Sequence, residues 1–337
     1  MSGLIIPFFI QHQGCPHRCL FCDQHAVTGN VEATSENIQQ QLTKTIEQWL
    51  GFRKDNHPVQ LAFYGGSFTC LDEQVQQTLL QGAEPFLQDG SIESVRVSTR
   101  PDCLSPEICD YLRVHGVKTV EVGVQSMDDQ VLQKVARGHR ADDSVQAVKI
   151  LKQSGLRVGV QLLPGLPGET TSSFGAGVKK VIGLEPDFVR LYPLLVLQGT
   201  GLADLYKHSR WRPLSLNRAI TLVRKARAAF IECNIPVIRM GLQPSAELEQ
   251  NLLAGPYHPA FGELVVSREW YLRAREVLSR NSGATAVTFV VSNRDCSAFL
   301  GPKRQNLQRL SHLFPYCMVT VECKNDLERN SLNYVVG

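Results

Sequence analysis

Six strand-like runs, each followed by a helix-like run, occupy about the first 215 residues of this 337-residue chain. The strands read as Leu4–Ile10, Val59–Tyr64, Ile92–Ser98, Val117–Val124, Leu156–Leu163 and Asp187–Tyr192. Between the first two, Ile38, Leu42, Ile46, Trp49 and Leu50 fall on one helical face, with Thr34 or Ser35 as cap. Further helices are predicted over Asp72–Leu87, Ser105–His115, Asp128–Ala136, Ala141–Ser154 and Thr170–Ile182. Such alternation implies parallel strands joined by right-handed crossovers. A closed barrel of eight units needs ~250 residues. Six units predict an α/β fold built as an open, partial (β/α) TIM barrel, with a doubly wound sheet as the alternative. Residues 216–283 read as a barrel extension, with a short strand at Ile235–Met240 and a crossing loop at Leu242–Pro259, and residues 284–337 as a small α+β unit.

Composition adds exclusions. Apolar residues make up 43% and charged residues 20%, which argues against long disorder and coiled coil. The net charge of +3 is too small to signal nucleic acid by itself. Its placement is uneven: from Phe261 onward ten Lys/Arg face seven Asp/Glu, and the preceding residues are balanced. The apolar stretch Leu4–Ile10 is far shorter than the ~20 residues of a membrane span. It has neither a basic flank nor a small-residue cleavage site, so no signal peptide or membrane partner is expected, and the chain reads as cytoplasmic. Ten cysteines in that compartment are expected to be thiols or metal ligands rather than disulfides.

Three of them stand directly after the first strand. Cys15, Cys19 and Cys22 have the spacing C-x-x-x-C-x-x-C. Three thiolates on a cubane cluster leave one iron without a protein ligand, and an open metal position can bind a substrate. A zinc site completed by His12, His17 or His25 competes, as do three buried thiols; Phe21 and Pro16 favour the cluster. A barrel site is built from the C-terminal ends of its strands. Here those ends carry Tyr64-Gly65-Gly66-Ser67, Ser98-Thr99-Arg100-Pro101-Asp102, Glu121-Val122-Gly123-Val124-Gln125-Ser126 and Gln161-Leu162-Leu163-Pro164-Gly165. Arg137 is expected just past a short helix. An unpaired buried polar group costs about 1–3 kcal/mol, so Glu121 and Gln125 point either to binding or to a structural hydrogen-bond network.

The cysteine spacing, with an aromatic before the third cysteine, resembles the radical S-adenosylmethionine (SAM) superfamily. That resemblance implies a barrel of the radical SAM type, a [4Fe–4S] cluster on Cys15, Cys19 and Cys22, and SAM chelated to its free iron. It also implies reductive cleavage to a 5′-deoxyadenosyl radical and an electron donor such as flavodoxin or ferredoxin. The superfamily's Gly-Gly-Glu-type motif corresponds to Gly65, Gly66 and Ser67. The strings are similar to the oxygen-independent coproporphyrinogen oxidases, whose SAM contacts match Ser67, Ser98, Gln125, Arg137 and Gln161. In that family the residues matching Ser98 and Gln161 are acidic. Thr99–Asp102, Glu121–Ser126, Leu163–Gly168 and Gly255–Phe261 resemble more closely the radical SAM region of the catalytic subunit of Elongator. The likeness covers roughly residues 1–280, and that subunit's acetyltransferase domain is not expected. RNA, and tRNA in particular, is the implied substrate.

In the last unit, a strand at Thr285–Ser292, a turn at Asp295–Leu300, Gly301-Pro302-Lys303-Arg304, a helix at Gln305–Leu313 and a strand at Tyr316–Glu322 resemble a KH-like RNA-binding module. Lys303 and Arg304 at a helix start would attract phosphate. A plain structural cap competes. Cys70, Cys103, Cys109 and Cys233 are expected to be buried thiols, and His258 structural. Two further functions stay open: a radical SAM enzyme for a small molecule or peptide, and a non-catalytic iron–sulfur or zinc RNA-binding protein.

Overall fold

Seven parallel strands form the principal sheet, and all but the last follow one another in chain order. They are β1 (Leu4–Phe9), β2 (Val59–Tyr64), β3 (Ser94–Thr99), β4 (Val117–Gln125), β5 (Arg157–Leu162) and β6 (Phe188–Leu191); β7 (Val196–Leu197) lies elsewhere, and β8 (Val237–Met240) pairs with β6. This computed structural model describes residues 3–10, 15–22, 35–53 and 57–337. The crossovers are α1 (Ser35–Gly51), α2 (Glu73–Gln88), α3 (Pro106–Val114), α4 (Asp129–Lys134) with α5 (Ala141–Gln153), and α6 (Thr171–Ile182). A sheet order that follows chain order is what successive right-handed βα units produce, and it yields an open barrel. The stretch Ile235–Met240, expected from sequence to be a short strand, contributes the seventh strand of the sheet. It satisfies the backbone groups that β6 would otherwise leave at the sheet edge.

The strands have two different faces. On β4, Val120, Val122 and Val124 are fully buried on the helix side, while Glu121, Gly123 and Gln125 occupy the other face. Helix starts are fixed by local chemistry: the side chains of Asp72, Ser105, Asp128 and Thr170 accept from the backbone N–H of Gln74, Ile108, Gln130 and Ser173. Further on come α7 (Gly201–Lys207), α8 (Leu216–Glu232), α9 (Ala246–Asn251) and β9 (Leu252–Ala254), which pairs antiparallel with β7. The expected crossing loop at 242–259 thus holds a helix and a strand.

The chain divides into two units: Met1–Ser215 with Ala226–Tyr257, and Leu216–Lys225 with His258–Gly337. In the second, α10 (Phe261–Arg280) precedes β10 (Ala286–Ser292), α11 (Asn293–Leu300), α12 (Gln305–Leu313), β11 (Met318–Lys324) and β12 (Leu332–Val336). The sheet order is β11-β10-β12, with β11 parallel and β12 antiparallel to β10. Trp270, Ala274 and Leu278 of α10 pack with Phe289, Phe299 and Leu310 into its core.

The expectation of thiols fails at four cysteines. Cys70 and Cys103 form a disulfide, with Cα atoms 5.6 Å apart, because each closes a short turn after neighbouring strands β2 and β3. Cys296 on α11 and Cys323 on β11 form another, and Cys317 in the same unit is a free thiol. Cys109 is buried as expected; Cys233 is exposed.

Candidate active site

The loop Cys15–Cys22 is pinned against the C-terminal ends of the barrel strands. Its Leu20 backbone is held on both sides: Leu20 N–H donates to Val135 O (3.0 Å), and Leu202 N–H donates to Leu20 O (2.8 Å). Leu20 and Phe21 pack against Val131, Val135, Leu163 and Leu202. Cys22 N–H donates to Cys19 O (3.1 Å), which closes a tight turn between two of the three cysteines. Cys15 Sγ lies 3.1 Å from Ser67 Oγ, and Arg137 Nη1 donates to Cys19 Sγ at 3.6 Å. The sequence-predicted cysteines therefore meet two of the predicted cofactor contacts, Ser67 and Arg137.

His17 does not join them. Its ring lies against Gly138, where φ is +81° and a Cβ would overlap the imidazole. His12 and His25 lie outside the described residues. Among the described residues no three His, Cys, Asp or Glu side chains are grouped to hold a single metal ion.

Arg137 is buried. Its Nη2 donates to Gly123 O (2.8 Å). A Cβ on residue 123 would stand 2.9 Å from Gln125 Nε2 and 3.1 Å from Arg137 Nη2, so glycine makes room for both. Gln125 ends β4 with φ +68°, at a register shift against β5, and Gln161 Nε2 reaches its Oε1 at 3.5 Å. Gly65 takes φ +91° after β2, a conformation that favours glycine, and the buried Ser67 follows. Ser98 pairs in register with Glu121, and Gln161 with Arg190.

Arg100, in the string Ser98–Asp102 at the end of β3, is a further residue of this site that was not among those expected from the sequence. Arg100 is 1% exposed, forks onto Asp102 with two 2.9 Å bonds, and donates through Nη2 to Arg137 O (2.7 Å). It holds the backbone that carries Arg137. Burial works to lower the Arg100 pKa, but Asp102, with the nearby Cys19 and Cys15, raises it overall. His139 is 4% exposed, and its Nε2 lies 3.2 Å from Val124 O. Burial, then Arg137, pushes its pKa down to about 3, against the pull of Asp102. Glu169 braces the loops after β4 and β5 through Gly165 N–H (2.7 Å) and Ser126 Oγ (3.4 Å); burial pushes its pKa up to about 7.

Glu121 belongs to a network on the same sheet face. Its Oε1 accepts from Arg96 Nη1 (2.8 Å), Arg190 Nη2 (2.8 Å) and Tyr64 OH (3.2 Å), and Arg190 Nε lies 2.8 Å from its Oε2. Arg96 and Arg190 were missed in the sequence, where arginine in a strand was not treated as a signal. The sequence-predicted Lys303 and Arg304 lie in the second unit, both exposed, with φ of +50° and +59°. His258 Nδ1 accepts from Ala260 N–H (3.0 Å), a structural role.

The residues fit the group that the sequence implied. Three cysteine side chains sit on one pinned loop, and a guanidinium faces one of the sulfurs. Among the described residues the buried Arg100 Nη1 and Arg137 Nε have no hydrogen-bond partner, so donors remain for a ligand.

Comparison with known proteins agrees. A model of the radical SAM superfamily matches residues 10–179, and one of the radical SAM C-terminal domain matches residues 186–270. The tRNA uridine(34) acetyltransferase of Methanocaldococcus jannaschii is 28% identical over 270 residues, 68% of this chain and 49% of that protein. Human Elongator complex protein 3 is 25% identical over 269 residues, 71% of this chain and 47% of that protein. The solved structure of Methanocaldococcus infernus Elp3, lacking its N-terminus, superposes with a TM-score of 0.63 at 22% identity, covering 81% of this chain and 64% of that one. The chain thus spans about half the length of the curated relatives it matches.

Proposed function

The chain belongs to the radical SAM superfamily, and on that premise we propose that it is an RNA-modifying enzyme that acts on a tRNA base. The superfamily uses a [4Fe–4S] cluster and SAM, which together supply a 5′-deoxyadenosyl radical. Cys15, Cys19 and Cys22 would hold the cluster. Gly65, Gly66, Ser67, Ser98, Gln125, Arg137 and Gln161 would orient SAM, with Phe21 anchoring the loop between them. Arg100 keeps Arg137 in place. The observation that carries the catalytic reading is the meeting of the cysteine loop with Ser67 and Arg137. With dithionite and SAM, the reconstituted protein is expected to release 5′-deoxyadenosine and methionine. A reduced cluster that neither binds nor cleaves SAM would remove this activity.

The tRNA part rests on the named relatives and on charge. The second unit carries 13 Lys/Arg against 7 Asp/Glu, the first 22 against 25. Lys303 and Arg304, exposed before α12, would meet the RNA backbone in a KH-like manner. No helix among the described residues is long and apolar enough to cross a membrane; we place the protein in the cytoplasm with a flavodoxin- or ferredoxin-type electron donor. Replacing Lys303 and Arg304 by alanine should make the slope of log K for tRNA against log salt shallower by roughly 1.4–1.8. An unchanged slope and affinity would make the second unit a cap and favour a small-molecule substrate.

A further inference from the structure

We propose that the barrel's inner face holds an oxyanion of the substrate, a carboxylate or a phosphate, at a site formed by Arg96, Arg190, Tyr64 and Tyr192. The proposal deepens the reading above and rests on it, because it takes this face as the substrate side of the active site.

The case begins with charge. Arg96 on β3 and Arg190 on β6 share one carboxylate, Glu121 on β4. Burial, then the Glu121 charge, pushes the Tyr64 pKa up to about 12, so its hydroxyl stays neutral. Burial works to lower the Arg190 pKa, but Tyr192, Glu121 and Tyr64 raise it overall, so it stays protonated. The cluster therefore carries an excess of one positive charge. Arg239 of β8 pairs in register with Arg190 and brings another guanidinium to that edge, bonded to Gly241 O and Gln243 rather than to an acid. Uncompensated charge out of water is costly. The rings of Phe188 under Arg96 (5.2 Å) and Tyr64 under Arg190 (5.3 Å) relieve part of the cost without neutralising it.

Hydrogen bonding points the same way. Arg96 Nε is buried with no hydrogen-bond partner among the described residues. Tyr192 OH accepts from Arg190 Nη1 (3.0 Å), so its own proton is available to a ligand. Location completes the case: Glu121 is the register partner of Ser98, and Arg190 that of Gln161. The excess charge thus stands beside two of the residues expected to contact SAM. A substrate anion there would be neutralised while its remainder reached toward the cofactor.

The test uses anaerobically reconstituted holoprotein with SAM. Sodium phosphate and sodium acetate are titrated against sodium chloride at constant ionic strength, and the Tm is followed. At least one oxyanion should raise the Tm saturably; acetate alone marks a carboxylate site, phosphate alone a phosphate site. Glu121→Gln keeps the side-chain shape and adds one net positive charge, so the apparent Kd should tighten by about tenfold. Arg190→Lys keeps the charge and loses the fork, so it should weaken binding by about the same factor. Phosphate held at the basic second unit would not respond to Glu121. No effect beyond chloride in the wild type, or a Kd unchanged by Glu121→Gln, overturns the proposal. Should Glu121→Gln fail to fold, an unchanged Kd in Arg190→Lys overturns it equally. Wild-type 5′-deoxyadenosine release keeps the readings apart: release without an anion response removes this site alone, whereas no release removes the proposed activity.

Discussion

Replacing Cys15, Cys19 and Cys22 together by alanine is expected to reduce bound iron and sulfide from about four of each per chain to background. No partial retention is expected, because an alanine offers no donor and the other thiols lie elsewhere. Cys70, Cys103, Cys296 and Cys323 are in disulfides, Cys109 is buried on α3, Cys233 is exposed just past α8, and Cys317 belongs to the second unit. The fold should survive. Cys19 is the one buried residue of the three, and losing its sulfur costs about 1 kcal/mol, a typical substitution. The loop keeps the two Leu20 backbone bonds and the packing of Phe21, neither of which uses a sulfur. The measurement is iron and sulfide after anaerobic reconstitution, alongside circular dichroism. Wild-type iron in a folded triple variant would place the cluster elsewhere.

What the sequence revealed and what it hid divide along physical lines. The βα units were legible because parallel strands buried on both faces read as apolar runs, and helices announce themselves by caps such as Asp72 and Ser105. The cysteines were legible because a local spacing fixed them on one loop. The short strand at Ile235–Met240 was legible, but its place as the seventh strand of the barrel sheet was not, because that depends on the open edge of β6. The terminal strand Leu332–Val336 was hidden because it spans five residues and its pairing with β10 bridges some forty residues. Arg96 and Arg190 were hidden for a further reason. They lie 94 positions apart and converge on one carboxylate only through sheet registry, which no single stretch of sequence displays. The Cys70–Cys103 disulfide has the same origin: two turns, separated by 33 residues, end side by side because β2 and β3 are neighbours.

That convergence also sets the response to acid, through two groups of opposite sign. His139 has its pKa pushed from the ordinary 6.5 to about 3 by burial and by Arg137. Between those values the unfolded chain binds a proton that the folded chain refuses, so His139 makes stability fall as the pH falls. Glu169 has its pKa pushed from 4.5 up to about 7 by burial, against the hydrogen bonds from Gly165 and Ser126. Between those values the folded chain holds a proton that the unfolded chain releases, so Glu169 makes stability fall as the pH rises. The two windows overlap from pH 4.5 to 6.5, where one proton on each side nearly cancels. Substitution should unmask each slope in turn. Glu169→Gln should lose up to about 3 kcal/mol more than its parent on acidification across that overlap, at 1.36 kcal/mol for each pH step of one. His139→Gln should change by a similar amount in the opposite direction. Both are best made in the triple-alanine background, where an acid-labile cluster does not contribute. Unfolding is followed by urea at pH 4.5, 5.5 and 6.5. Parallel pH profiles for the parent and both variants would show that neither group is held by the barrel as its burial requires. Opposed profiles would place His139 under Val124, and Glu169 between the two loops, as the fixed and desolvated braces on which Arg137 and Gln125 depend.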